Sequence, residues 1–119
     1  MNRVCLIGRI TRDLELKKTS SDKSVCSFDV AVNRGFGNDN TDFVSCVSWD
    51  NQAENLVKYQ RKGSKIAVDG SLRVDKYQDS DGKNRYKIYV QAANIEYLDS
   101  KKEEPEKPKE NVFDDDLPF

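Results

Sequence analysis

Alternating apolar and polar positions predict a chain made mainly of β-strands. In residues 26–33 every second residue is apolar and the residues between them are mostly polar, a pattern typical of a half-buried strand. Residues 65–77 and 84–98 repeat this period around a polar turn, QDSDGK, and predict a hairpin. Residues 2–10 predict another strand, in which Gly8 indicates a bend or bulge. The predicted buried face of the hairpin consists of Ile66, Val68, Leu72, Val74, Tyr86, Ile88 and Val90.

One segment, residues 51–62, has the signals of a helix. Asn51 is a candidate N-cap, Glu54 follows three residues later as in a capping box, and Gly63 is a natural stop. About five strands, with one helix after the third long strand, is the element order of an OB-fold, a small Greek-key barrel. We therefore predict an all-β, five-stranded Greek-key barrel. The helix has a narrow apolar stripe of Ala53, Leu56, Val57 and Gln60.

Charge and composition separate a body from a tail. The chain has 119 residues, enough for one domain. Residues 1–99 contain 16 Lys and Arg against 14 Asp and Glu, whereas residues 100–119 contain 4 Lys and 7 acidic residues. Residues 100–113 are mostly charge and proline, which predicts a disordered linker. Residues 114–119 form an acidic tip, DDDLPF. A basic body with an acidic tail is typical of a nucleic-acid-binding domain followed by an interaction segment.

Composition disfavours an enzyme. The chain has no histidine, which removes His-based zinc sites and the Ser-His and Cys-His nucleophiles. The densest carboxylate cluster lies in the tail, which we predict to be disordered, whereas metal-dependent nucleases need rigidly held ligands. We therefore predict no cofactor and no metal.

No apolar run approaches the ~20 residues of a membrane span, so we expect a cytoplasmic protein. The three cysteines are interpreted as small core residues: Cys5, Cys26 and Cys46.

The aromatic residues in segment 43–49 raise the question of which face is buried. Strand periodicity places Phe43 and Trp49 on one face, and Val44, Cys46 and Ser48 on the other. If the small residues face inward, the aromatics face outward, together with Tyr77 and Phe36. The alternative is that Phe43 and Trp49 belong to the core. Outward aromatics between basic residues would form a stacking platform for single-stranded nucleic acid. Those basic residues are Arg34, Lys62, Arg73, Lys76 and Arg85.

The residues as a set resemble a known family. The segments that carry the resemblance are NRVCLIGRITRDLEL, FDVAVNRGF, DFVSCVSWDNQAEN, YQRKGSKIAVDGSL, DGKNRYKIYV and DDDLPF. Their order and spacing resemble the bacterial and phage single-stranded DNA-binding proteins of the OB-fold type, over essentially the whole chain. The short charged linker resembles the phage or prophage versions.

The resemblance implies roles for particular residues and favours the outward aromatics. Positions that stack on DNA bases in the family match Phe36, Phe43, Trp49 and Tyr77. Positions that approach the phosphates match Arg3, Lys62, Arg73, Lys76 and Arg85. The tip, which recruits replication, recombination and repair enzymes in the family, matches Asp114, Asp115, Asp116, Leu117, Pro118 and Phe119. Phe119 would offer an aromatic ring and a terminal carboxylate together.

The resemblance further implies a homotetramer that coats single-stranded DNA without catalysis. Two other functions stay open from the residues themselves. One is a protein-interaction adaptor that presents the acidic tail. The other is an RNA-binding module, because base stacking does not sense the 2′-hydroxyl group.

Overall fold

The computed structural model describes residues 1–35 and 40–99. The predicted linker, the predicted tip and Phe36 lie outside these residues. The elements, in chain order, are β1 (Val4–Ile10), β2 (Lys17–Lys18), β3 (Ser24–Asn33), β4 (Thr41–Trp49), α1 (Asp50–Tyr59), β5 (Lys65–Gln78) and β6 (Asn84–Tyr97). The five long strands and the single helix were predicted, whereas the two-residue strand β2 was not.

The five long strands close into a barrel. The sheet order is β1-β5-β6-β4-β3-β2, and β1 also pairs with β3, which joins the two sides of the sheet. All these pairs are antiparallel except β4 with β6, which run parallel at Cys46↔Val90 and Val47↔Gln91. This is the strand order of an OB-fold, so the predicted fold class is confirmed.

A compact core fills the barrel. Phe28 on β3 pairs with Cys46 on β4, so the bulkiest core side chain faces one of the smallest. Helix α1 packs against β3 and β4 and contributes Ala53 and Leu56 to the core. The other fully or nearly fully buried apolar residues are Ile10, Cys26, Val30, Ile66, Val68 and Val90.

The predicted boundaries of the helix were wrong at both ends. The N-cap is Trp49, not Asn51, and its side chain makes no capping hydrogen bond. Glu54 does not form a capping box, because its Oε2 accepts a hydrogen bond from Ser24 Oγ at 2.6 Å. The helix ends at Tyr59, before the predicted stop. Gly63 instead lies in the following turn at φ +92°, where its N–H donates to the carbonyl of Ile10.

Gly8 does not mark a bulge. The pairing of β1 with β5 runs without a register shift from Val4↔Gly70 to Arg9↔Lys65. A Cβ atom on Gly8 would collide with the backbone oxygen of Ala31, so glycine is needed where β1 crosses β3. The irregularity in the barrel lies between Asp69 and Gly70 of β5.

The cysteines divide into two environments. Cys26 and Cys46 are buried as predicted, and burial raises the pKa of the Cys46 thiol to about 12. The prediction for Cys5 was wrong, because this residue is exposed on β1 with its Sγ 3.7 Å from Asp69 Oδ1. Across the two described ranges, no helix has the length and apolarity needed to cross a membrane.

Gln60 is a buried amide without a partner. Its side chain is fully buried, and neither Oε1 nor Nε2 finds a hydrogen-bond partner among the described residues. An unsatisfied buried polar group costs about 1–3 kcal/mol, and leucine has a similar volume. We expect Gln60→Leu to raise the free energy of unfolding by about 1–3 kcal/mol in urea titrations. The matched control is Gln52→Leu, which should not stabilise because Gln52 accepts a hydrogen bond from Ser48.

Candidate nucleic-acid interface

Strand β4 turns its aromatic side chains out of the barrel. Cys46 and Ser48 are buried and Val44 packs against the core, which leaves Phe43 and Trp49 on the outer face. The side chain of Phe43 is 70% exposed. The alternative in which Phe43 and Trp49 are core residues was therefore wrong. The reason is side-chain volume. The ring of Phe28 occupies the core next to the inner face of β4, so only small side chains fit on that face.

The β5–β6 hairpin extends this outer face. Paired residues of two antiparallel strands lie on the same side of a sheet. Tyr77 pairs with Arg85, and Arg73 pairs with Tyr89. Tyr77 is 50% exposed. The hydroxyl of Tyr89 donates a hydrogen bond to Asp75 Oδ2 at 3.0 Å. Tyr77 thus has a guanidinium group as its cross-strand neighbour.

The outward residues of β4 and of the β5–β6 hairpin form one continuous surface, because β4, β6 and β5 lie side by side in the sheet in that order. Phe43 lies near the start of β4, on the strand next to the hairpin that carries Tyr77. Trp49 lies at the other end of β4, six residues or about 20 Å away. There it lines an open groove of about 720 Å³ together with Lys23 and Gln91. We call the outer face of β4, β5 and β6 the aromatic face.

Three of the predicted phosphate-binding residues are held in ion pairs. Arg34 Nη2 lies 2.9 Å from Asp42 Oδ1, and Arg85 Nε lies 2.8 Å from Asp79 Oδ2. Arg3 Nη2 lies 2.9 Å from Asp69 Oδ2. Hydrogen bonding to these carboxylates raises the pKa of Arg3 and of Arg34. The same bonding lowers the pKa of Asp69 and of Asp79.

The other three basic residues make no ion pair within the described ranges, and they do not share one surface. Arg73 lies on the aromatic face. Lys76 pairs with Tyr86 and therefore lies on the opposite face of the hairpin from Tyr77. Lys62 lies in the turn before β5, at the end of that strand farthest from Tyr77. The structure does not bring Lys62 and Lys76 together with the aromatic face.

The predicted buried face of the hairpin was wrong in its outer half. Ile66, Val68 and Val90 are buried, but the apolar residues beyond them protrude past the barrel. The exposed row consists of Leu72, Val74, Tyr86 and Ile88, with exposures of 45%, 54%, 64% and 60%. Periodicity alone cannot show where a barrel ends. The lengths of the two predicted strands could have shown that the hairpin extends past the barrel, because strands of about 14 residues are longer than a small barrel can cover.

The chemistry offered by the aromatic face is stacking and charge. In the part of the chain that the structure describes, no group of three Cys, Asp or Glu side chains is arranged to hold a metal ion. Exposed rings beside guanidinium groups suit planar, anionic ligands. Neither Phe36 nor residues 114–119 can be placed relative to this surface, since they lie outside the described residues.

Comparisons with known proteins place this chain in a family. A sequence model of the family described as "Single-strand binding protein family" matches residues 1–98. A protein named single-stranded DNA-binding protein from Oceanobacillus iheyensis is 42% identical over 105 residues, which cover 85% of this chain and 65% of that protein. The equivalent from Bacillus cereus is 43% identical over 103 residues, covering 83% of this chain and 61% of that protein.

The chain spans slightly less than two thirds of the length of these two relatives. Single-stranded DNA-binding protein 3 of Streptococcus agalactiae is 34% identical, over an alignment that covers 100% of this chain and 99% of that protein. The sequence match, the barrel topology and the outward aromatics agree, and the chain belongs to the single-strand binding protein family.

Proposed function

We propose that this protein binds single-stranded DNA on the aromatic face without strong sequence preference. The observation that carries the proposal is the exposure of Phe43 on β4 and Tyr77 on β5, the two strands that flank β6. Arg85 is paired with Tyr77, and Arg73 lies on the same face of β5. Each base stacked on an aromatic side chain contributes about 1–3 kcal/mol, whatever its sequence. The names of the relatives, all single-stranded DNA-binding proteins, support the same function.

Competition between nucleic acids tests this proposal against its alternatives. A labelled dT oligomer bound to the protein is challenged with unlabelled single-stranded DNA, RNA and duplex DNA of equal length. We expect single-stranded DNA to compete best and duplex to compete least, because stacking requires unpaired bases. Equal or better competition by RNA would favour the RNA-binding module. Failure of the protein to bind any of the three would favour the adaptor function.

The cations of the aromatic face should make binding sensitive to salt. On a single strand the log–log slope of affinity against salt is about −0.7 per phosphate neutralised. We expect Arg73→Ala to flatten this slope by about 0.7 and to weaken binding to all sequences alike. The matched control is Lys76→Ala, a change of the same charge on the opposite face of the same strand, which should alter the slope less. An unchanged slope for Arg73→Ala would remove this residue from the interface.

We also propose that the protein acts as a non-catalytic coat for single-stranded DNA during replication, recombination and repair, in the bacterial cytoplasm. The acidic tip would recruit partner enzymes. Family membership supports these roles, as does the composition of residues 114–119, in which three carboxylates precede Leu117, Pro118 and Phe119.

The expected assembly is a homotetramer. Strand β1 supports self-association, because it pairs with β5 along its length but with β3 only at Arg9 and Ile10. From Val4 to Ile7 the other edge of β1 therefore pairs with no strand of the described residues, and the side chain of Ile7 is 56% exposed there. Free strand edges pair readily with other chains. Light scattering after size-exclusion chromatography gives the mass, and a monomer mass would contradict the proposal.

A further inference from the structure

One arginine of the aromatic face, Arg85, is already paired with a carboxylate, and Arg34 forms a similar pair off that face. Arg34 donates two hydrogen bonds from Nε, to Asp42 Oδ1 at 3.1 Å and Oδ2 at 3.2 Å, and one from Nη2 to Oδ1 at 2.9 Å. Asp42 immediately precedes Phe43 in β4, so its side chain lies on the opposite face of that strand. Arg85, the cross-strand neighbour of Tyr77, donates from Nε to Asp79 Oδ2 at 2.8 Å. Tyr77 is thus accompanied by a neutralised arginine.

These contacts use the donors that a phosphate would need. Arginine recognises phosphate and carboxylate with the same N–H groups. A DNA phosphate that approaches Arg34 or Arg85 must therefore displace the carboxylate, or share the guanidinium with it. Both pairs are accessible to solvent, with side-chain exposures of 55% and 49% for Arg34 and Asp42, and of 57% and 21% for Arg85 and Asp79. Pairs in this setting are weak enough to be exchanged.

We propose that Asp79 is an internal competitor of the DNA phosphates, which lowers the affinity of the aromatic face and limits its dependence on salt. The inference rests on the proposed function. Arg73, on the same face, has no carboxylate partner within the described ranges. Lys87, which pairs with Asp75 across the hairpin, lies on this face as well and forms no ion pair within those ranges. Arg73 and Lys87 are therefore free to neutralise phosphates, whereas Arg85 is masked by Asp79.

The salt dependence distinguishes masking from a supporting role. A phosphate neutralised by a free cation contributes about −0.7 to the log–log slope. A phosphate that meets a guanidinium with a carboxylate still beside it gains little net neutralisation and so contributes less. Removing the carboxylate should therefore steepen the slope as well as raise the affinity. If Asp79 instead holds Arg85 in position for DNA, its removal should lower the affinity.

Asparagine is the appropriate replacement for Asp79. The Oδ1 atom of Asp79 also accepts the N–H groups of Asp81 and Lys83 and so shapes the β5–β6 turn. An asparagine amide oxygen can keep these two bonds while the charge is lost. The matched control is Asp42→Asn, which makes the same change in the ion pair that lies off the aromatic face. A second control is Glu96→Gln, which removes a charge from an exposed residue 11 positions along β6 from Arg85, or about 36 Å of strand.

The experiment measures dT-oligomer affinity across a salt series for the full chain and its Asp42→Asn, Asp79→Asn and Glu96→Gln variants. For Asp79→Asn we expect about two- to fivefold tighter binding at low salt and a slope steeper by up to about 0.7. Asp42→Asn should change both less, and Glu96→Gln should leave both unchanged. Weaker binding by Asp79→Asn, an unchanged slope, or an equal gain from either control would each overturn the inference. No binding by the parent chain would instead overturn the proposed function, and this inference with it.

Discussion

Replacing Phe43 and Tyr77 together with alanine is expected to weaken binding to a dT oligomer by about 2–6 kcal/mol, since each stacked base contributes about 1–3 kcal/mol. Both rings are largely exposed, at 70% and 50%, so the barrel should remain intact. We expect the free energy of unfolding to change by no more than about 0.5 kcal/mol, as for most surface substitutions. Fluorescence anisotropy of a labelled oligomer and urea denaturation measure the two quantities.

The hairpin provides a matched control for this double variant. Tyr86 is an aromatic residue of the same hairpin with 64% exposure, but it lies on the opposite face from Tyr77. We expect Tyr86→Ala to bind the oligomer as tightly as the parent chain. If Tyr86→Ala weakened binding as much as the change at Tyr77, the assignment of DNA to the aromatic face alone would be wrong.

Deleting residues 114–119 is expected to abolish the capture of replication and repair enzymes while leaving DNA affinity equal or slightly higher. The three carboxylates would steer the tip toward a basic surface of the partner, and the ring of Phe119 would anchor it in an apolar pocket. Phe119→Ala should therefore be nearly as damaging as the deletion. DNA affinity could rise because the tip carboxylates can no longer compete with phosphates for the aromatic face. Affinity purification from a bacterial lysate, with identification by mass spectrometry, measures the capture.

The tail offers its own control in Phe113, the other phenylalanine near the end of the sequence. Phe113→Ala removes the same ring from outside the tip and should leave capture intact. Equal recovery of partner enzymes by the parent chain and by the deletion would reduce the tip to a solubilising segment.

Sequence periodicity was sufficient to predict where the five long strands lie along the chain, because burial of one face of a strand imposes apolar alternation with a period of two. It was not sufficient for the face of β4. Both faces carry apolar side chains, and the choice depends on Phe28, which pairs with Cys46 from another strand and occupies the space behind it. Such volume complementarity between residues 18 positions apart leaves no local pattern.

The positions of the basic residues illustrate a second limit. Strand counting already separates Lys76 from Tyr77, since adjacent residues of a strand point to opposite faces, but the interpretation of the sequence grouped both in one stacking platform. The ion pairs of Arg34 and Arg85 were missed, although each arginine lies within eight residues of its carboxylate across a hairpin turn. The capping box was predicted wrongly because Glu54 accepts a hydrogen bond from Ser24, which is distant in sequence and close only in the fold.

The central claim is that the aromatic face receives single-stranded DNA, and the fluorescence of Trp49 tests it most directly. Trp49 is the single tryptophan of the chain and lines the groove at the end of β4, so its emission reports on this surface alone. Titration with a dT oligomer should quench the emission to a plateau through base stacking, whereas duplex DNA of equal length should quench it little. Emission that stays unchanged while the oligomer is shown by anisotropy to bind would contradict the claim.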